Sequence, residues 1–183
     1  YNLLFFDFRA MGKSAGRVTT IGFRETDDLS AAVDYLERRG IKKIGVYGFS
    51  MGGAVALMTE DPRVAAIVSE SAFASLGLII DDMYKKFGFC KYPFILATKV
   101  YARVFLGVDV SKVSALTAIS RRHIPIFIIH SERDSQIPEG HARMLHQANP
   151  STALWVIPGV DHGENLDQEE YRNRIRKFFA DHL

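Results

Sequence analysis

The strongest constraint on the fold is one short stretch, Val46-Tyr47-Gly48-Phe49-Ser50-Met51-Gly52-Gly53. It follows an apolar run typical of a buried strand and precedes a run typical of a helix, Ala54-Val55-Ala56-Leu57-Met58. A G-x-S-x-G sequence between a strand and a helix predicts a sharp turn that holds the serine hydroxyl above the sheet edge. We expect Gly48 and Gly52 to avoid Cβ collisions there, and Gly53 to let the helix pack closely on the sheet. Ser50 is therefore the candidate nucleophile.

The remaining apolar runs predict an α/β fold with a doubly wound, mostly parallel sheet. They lack polar alternation, which is typical of strands covered on both faces. Strands are expected at residues 3–8, 44–49, 64–68, 124–130 and 153–157. Helices are expected near 26–39, 51–58 and 138–148, and in a last segment with Tyr171, Ile175 and Phe178 at helical spacing. The first helix is expected to use Thr26 or Asp27 as its cap and to end at Gly40.

About 55 residues separate the third and fourth predicted strands, far more than a simple crossover needs. The sequence therefore predicts a helical insertion over residues 76–118, inside a single domain of residues 1–183. Its aromatic and basic side chains have three interpretations: small helices that cover the sheet, a lid over an apolar pocket, or a contact with a membrane surface. The first two rank equally and the membrane contact ranks last.

Composition excludes several classes of function. A net charge of +2 is too small to indicate a nucleic-acid partner. The single cysteine excludes an internal disulfide framework, and no apolar run reaches the ~20 residues of a membrane span. Gly12-Lys13-Ser14 has the wrong glycine spacing for a phosphate-binding loop. The sequence assigns no compartment or oligomeric state, with a slight preference for the cytoplasm.

A nucleophilic serine needs a histidine base and an acid that fixes the histidine tautomer. Both are expected at the carboxyl edge of a parallel sheet, where Asp134 follows the fourth predicted strand and His162 follows the fifth. Glu132, on the same loop as Asp134, and Glu70, at the end of the third predicted strand, remain alternative acids. Asp161 adjoins His162 and is poorly placed to turn back to its Nδ1.

The other histidines have structural interpretations. His130 ends a strand, where a hydrogen-bonding role in the fold is expected. His141 and His146 are five residues apart, so a helix places them on different faces and no metal site is predicted.

The order Ser50, Asp134, His162 resembles the α/β-hydrolase superfamily. The likeness extends over nearly the whole chain, through Asp7-Phe8-Arg9, the turn at Ser50, the acid loop and His162-Gly163. Glu25-Thr26-Asp27-Asp28-Leu29 and Glu70-Ser71-Ala72-Phe73 are similar to the branch of prolyl-oligopeptidase-type peptidases and small bacterial esterases. Ala10 and Met11 depart from the glycine and histidine of many relatives, which affects the shape of that loop.

The resemblance implies an oxyanion hole with Met51 N–H as one donor. In the family the second donor follows a strand between those that correspond to residues 3–8 and 44–49. We therefore expect chain upstream of Tyr1 to supply both the donor and the strand, and residues 3–8 to lie apart from residues 44–49.

The sequence thus predicts a serine hydrolase of the carboxylesterase type (EC 3.1.1) that acts through an acyl-enzyme on Ser50. The expected substrate is a small ester with an apolar acyl group. Alternatives are a peptidase or thioesterase of the same fold, or a binding protein that retains the fold without activity. No cofactor or metal is implied.

Overall fold

The computed structural model describes residues 2–164 and 169–183 and has a parallel four-stranded sheet at its centre. The strands lie in the order β1-β2-β3-β4, and each pairs in parallel with the next. Their bounds are β1 Ile44–Phe49, β2 Val64–Glu70, β3 Ile126–Ser131 and β4 Ala153–Ile157. The α/β class and the parallel sheet predicted from the sequence are confirmed.

Helices connect the strands and cover both faces of the sheet. Seven α-helices lie within the described ranges: α1 Glu25–Arg38, α2 Met51–Met58, α3 Leu76–Tyr84, α4 Lys91–Tyr101, α5 Ala115–Ile119, α6 Gly140–Ala148 and α7 Glu169–His182. Shorter helical turns occupy Lys85–Cys90, Ala102–Leu106 and Val110–Lys112.

Alternate side chains of the central strands build two separate cores. Ile67 of β2 and Ile128 of β3 pack on the face covered by α1, α2 and α6. Val68 and Phe127, one residue away on the same strands, pack on the opposite face under α7. A strand buried on both sides needs apolar residues at consecutive positions, which explains the continuous apolar runs in the sequence.

The strand expected at residues 3–8 is not formed. No ladder bond joins these residues to β1, and within the described ranges β1 pairs only with β2. Leu3 and Phe5 are exposed. A strand needs a neighbour for its N–H and C=O groups, and residues 3–8 have none in the part of the chain described. As expected, residues 3–8 form no ladder with residues 44–49.

Helix α1 is capped at Arg24, two residues before Thr26 and three before Asp27, the expected caps. Glu25 is its first residue, and the Glu25 carboxylate is fully buried. That carboxylate accepts the N–H groups of Thr20 and Gly22 at 2.7 and 2.8 Å. The start of the helix is thus set by a contact with the preceding loop, which short capping motifs do not reveal.

The segment 76–118 leaves the carboxyl end of β2 and contains α3, α4 and most of α5. This position puts it at the edge of the sheet where β1 also ends. Its use as a lid stays a prediction. None of the helices in residues 2–164 and 169–183 combines the length and the apolar character that crossing a bilayer requires.

Candidate active site

Ser50 occupies the turn between β1 and α2 in a strained conformation. Its φ and ψ are 54° and −119°, in a region that residues with a side chain rarely adopt. Its N–H donates to Glu70 O at 2.8 Å, and its carbonyl accepts from the N–H groups of Gly53 and Ala54. Bonds to the neighbouring strand and to the helix therefore hold the serine in this conformation.

Two glycines allow this turn to approach its neighbours closely. A Cβ on Gly48 would lie 2.2 Å from Gly52 O, and a Cβ on Gly53 would lie 3.0 Å from Glu70 O. The expected roles of Gly48 and Gly53 are confirmed. The collision expected at Gly52 is wrong, because a Cβ there would meet only the Phe8 ring, at 3.7 Å.

The structure brings Asp134 and His162 together. His162 Nδ1 lies 2.6 Å from Asp134 Oδ2, and the aspartate carboxylate is almost fully buried. The other oxygen, Asp134 Oδ1, accepts the N–H groups of Gln136 and Ile137 at 3.0 and 2.7 Å. The His162 ring packs on Phe49 with a centroid distance of 4.7 Å. Because Phe49 directly precedes Ser50, the imidazole stands beside the serine turn.

Hydrogen bonds join the loop of the acid to the loop of the histidine. Asp161 Oδ1 accepts the N–H of Ser135 at 2.7 Å and that of His162 at 2.6 Å. These donors, Ser135 first, hold the pKa of Asp161 below its ordinary value. Glu132 Oε2 accepts the N–H of Gly159 at 2.8 Å. Both carboxylates thus position the loops, and the one bonded to the imidazole ring is Asp134.

Glu70, weighed as an alternative acid, is fully buried and is bonded to two phenols. Glu70 Oε2 accepts from Tyr47 and Tyr171, each at 2.5 Å, and the two phenol oxygens are 2.9 Å apart. Burial, with the nearby carboxylate, raises the pKa of both tyrosines. Both phenols therefore stay protonated at neutral pH and can donate to the carboxylate.

Histidines away from the serine turn hold the fold together. His130 is fully buried and bonds Ile137 O through Nε2 at 2.9 Å, and burial lowers its pKa. His141 Nδ1 accepts the Ala74 N–H, and its Nε2 lies 2.9 Å from Asp82 Oδ2. No three His, Cys, Asp or Glu side chains in the described ranges are grouped to hold a metal ion.

The N–H of Met51 is available at the first position of α2. It donates to no group in the described part of the chain. The N–H groups of Gly53 and Ala54, slightly further along the helix, donate to Ser50 O. A free N–H at a helix N-terminus beside a nucleophile can bind a negatively charged oxygen. The second donor expected upstream of Tyr1 falls outside the described residues.

Sequence reasoning missed three of the contacts around the site. It did not associate Tyr47 and Tyr171 with Glu70, because β1 and α7 are far apart in sequence. It also gave no role to Phe49 beside His162. The only signal for the cluster was a glutamate at the end of an apolar strand, which needs polar partners once buried.

A family model described as the Alpha/beta hydrolase family matches residues 1–174. The chain is also similar to the uncharacterised protein YqkD of Bacillus subtilis, with 25% identity over 97% of this chain and 62% of that protein. Protein bem46 of Schizosaccharomyces pombe is 26% identical over 98% of this chain and 58% of its own length. The chain thus spans about three fifths of these curated relatives.

Solved structures with the same fold include esterases and peptidases. Pyrococcus furiosus esterase Pf2001 superposes with a TM-score of 0.72 at 30% identity, over 97% of this chain and 68% of that one. An acylaminoacyl peptidase of Pyrococcus horikoshii gives 0.64 at 18% identity over 88% of this chain and 27% of its own, a likeness of fold alone. With the family match, these results establish that the chain belongs to the alpha/beta hydrolase family.

Proposed function

We propose that this member of the alpha/beta hydrolase family is a serine hydrolase that cleaves carboxylic esters through an acyl-enzyme on Ser50. The observation that carries the proposal is the position of His162. Its Nδ1 is bonded to Asp134 at 2.6 Å while its ring packs on Phe49, next to Ser50. A base oriented by a buried carboxylate beside a strained serine is the arrangement that activates a hydroxyl nucleophile.

In the proposed reaction, Asp134 accepts a hydrogen bond from Nδ1–H of His162, which keeps the ring proton on Nδ1 and leaves Nε2 unprotonated. Nε2 takes the proton of Ser50 Oγ as the oxygen attacks the ester carbonyl. The carbonyl oxygen becomes negatively charged and accepts the Met51 N–H. When the tetrahedral intermediate collapses, the bond to the alkoxide breaks and His162 gives its proton to the departing alcohol. Water then attacks the acyl-enzyme while the same nitrogen takes its proton. The bond between the acyl group and Ser50 Oγ breaks, the acid leaves, and His162 returns the proton to Ser50.

An ester is the preferred substrate class because an esterase, Pf2001, is the solved structure with appreciable sequence identity described above. The acylaminoacyl peptidase, at 18% identity, gives no comparable support for a peptide substrate. Peptides and thioesters remain alternatives within the same chemistry. The proposal keeps the apolar acyl group that was expected from the sequence.

Turnover of p-nitrophenyl butyrate and labelling by a fluorophosphonate probe test this function. The Ser50→Ala variant is expected to lose both, with a fall in kcat of at least about 10³-fold and an unchanged circular dichroism spectrum. Ser120→Ala, at an exposed helix end far along the chain, is the control and should retain both. Labelling that persists in Ser50→Ala would refute the nucleophile assignment. A wild-type protein that neither labels nor turns over ester would favour the binding protein without activity.

A further inference from the structure

The segment 83–108, here called the cationic cap, has a composition unlike the rest of the chain. It contains five basic residues and seven aromatic residues, but no aspartate or glutamate. Across the whole chain the 23 basic residues are nearly balanced by 21 acidic ones. The cap is therefore the part of the molecule where positive charge and aromatic surface are concentrated together.

Apolar side chains of the cap project outward along one helical face. In α4 and the turn that follows it, an outer row repeats every four residues, which places its members on the same side of the helix. The exposed fractions of the row are 65% for Tyr92, 64% for Leu96, 50% for Val100 and 67% for Val104. Helix α4 has no fully buried side chain. This row is thus an apolar surface that the described residues leave uncovered.

The inner side of the cap fixes this orientation. The hydroxyl groups of Tyr84 and Thr98 are 2.9 Å apart, and the ring of Phe94 stacks on that of Phe87 at 5.2 Å. Lys91 forms an ion pair of 2.7 Å with Asp81 of α3. The helix is therefore attached by polar and aromatic contacts on one side, while the outer row points away from them.

Several cations of the cap have no carboxylate partner among the described residues. Lys85, Lys86 and Lys99 are exposed, and none of them forms an ion pair with any described residue. Arg103 is paired with Asp109, which lies just beyond the cap. The cap therefore carries positive charge that no carboxylate of the described residues neutralises, together with an exposed apolar row.

We propose that the cationic cap docks peripherally on a membrane surface that contains anionic lipids. Aromatic and aliphatic side chains in a helical face can enter the boundary between headgroups and acyl chains, and lysines beside them bind anionic headgroups. Long lysine stems keep their ammonium groups at headgroup level while the apolar row is buried. A second copy of the chain fits this face poorly, because two caps without acidic residues repel each other.

Flotation with vesicles of phosphatidylcholine alone, or with about 30% phosphatidylserine, tests this proposal on the purified protein. We expect binding to the anionic vesicles and a steep fall with added salt. At about 1 kcal/mol per lysine, Lys85→Gln with Lys86→Gln should lower the partition coefficient about 30-fold. The matched control is Lys42→Gln with Lys43→Gln, another exposed lysine pair at the opposite end of the sheet. It should change binding less than about 3-fold.

A second pair of variants tests the apolar face. Leu96→Ser should lower binding to anionic vesicles about 10-fold through lost apolar burial. Val18→Ser, an exposed apolar position outside the cap, should leave it unchanged. Absence of vesicle binding, or equal losses in the two lysine pairs, would overturn the proposal. So would a dimer in lipid-free solution that Leu96→Ser dissociates, since the face would then belong to a protein contact.

Discussion

Replacing Asp134 by asparagine changes one functional group and tests the proposed acid directly. Oδ1 of Asp134 accepts two backbone N–H groups, from Gln136 and Ile137, and the amide oxygen of asparagine can keep both. The new NH₂ group then faces His162, where the carboxylate oxygen stood 2.6 Å from Nδ1. Because an NH₂ group donates, the imidazole must present an unprotonated Nδ1 and carry its proton on Nε2. Nε2, the nitrogen proposed to deprotonate Ser50, can then no longer act as a base.

The size of the effect follows from this wrong tautomer. The same substitution in the serine-protease triad lowers kcat about 10⁴-fold, which corresponds to about 5 kcal/mol in the activation free energy. We expect a similar loss for Asp134→Asn in this chain. The free energy of unfolding should change by less than about 2 kcal/mol, because the two N–H bonds to residue 134 are retained. The variant therefore separates catalysis from stability.

Steady-state hydrolysis of p-nitrophenyl butyrate and urea denaturation measure the two quantities. Asp161→Asn is the matched control, since Asp161 adjoins His162 and bonds backbone N–H groups rather than the ring. It should lower kcat less than about 10-fold. Glu70→Gln tests the alternative acid on β2. The reasoning is refuted if either control lowers kcat more than Asp134→Asn does.

Two further predictions concern the turn at Ser50 and the start of α1. Gly48→Ala should lower Tm by about 2 to 12 °C, because its Cβ would lie 2.2 Å from Gly52 O. Gly140→Ala, where a Cβ meets nothing within 4 Å, should not lower Tm in the same thermal melt, and an equal loss would contradict the steric argument. Burial alone would raise the pKa of Glu25, but hydrogen bonds from Thr20 and Thr19 outweigh it and hold the pKa below the ordinary value. Its stabilisation is therefore present above about pH 4.3 and is lost as the pH falls through the lower folded-state pKa. Glu25→Gln should cost about 2 to 4 kcal/mol in urea denaturation at neutral pH and flatten that acid-side decline, and an unchanged pH profile would exclude the carboxylate as its source.

The sheet was predictable from the sequence because its strands are buried on both faces. Such strands are continuous apolar runs, and the ends of β1, β2, β3 and β4 all lie within two residues of the expected ranges. The turn at Ser50 was equally local, since one glycine two residues before the serine determines how closely strand and helix approach. These features depend on residues that are close in sequence, so a local sequence pattern is enough to predict them.

The features that the sequence did not predict depend on distant partners. Residues 3–8 have the composition of a strand, but strand formation requires a second strand beside them. The two phenols on Glu70 come from β1 and α7, more than 100 residues apart in the chain. The roles of Gly52 and Gly53 differ because α2 approaches β2 at Gly53, whose carbonyl accepts the Ser69 hydroxyl. Gly52 faces the Phe8 ring instead. A local sequence pattern cannot predict these contacts between distant segments.

The contacts of the two carboxylates explain why Asp134 rather than Glu70 meets the histidine. Parallel strands lie about 4.8 Å apart, so β4 and β1 are about 14 Å apart across the sheet. The loop after β4 must carry His162 back over that distance, and its bonds to Glu132 and Ser135 hold it against the loop after β3. Asp134 belongs to that β3 loop and lies along the path of the histidine. The Glu70 carboxylate is instead occupied by the phenol of Tyr171 from α7, in the core on the opposite face from α2. A loop that runs from β4 back to β1 passes the ends of both β3 and β2, so position along the sheet does not by itself decide between the two acids. The Asp134 carboxylate contacts the imidazole, whereas the Glu70 carboxylate is bonded to phenols.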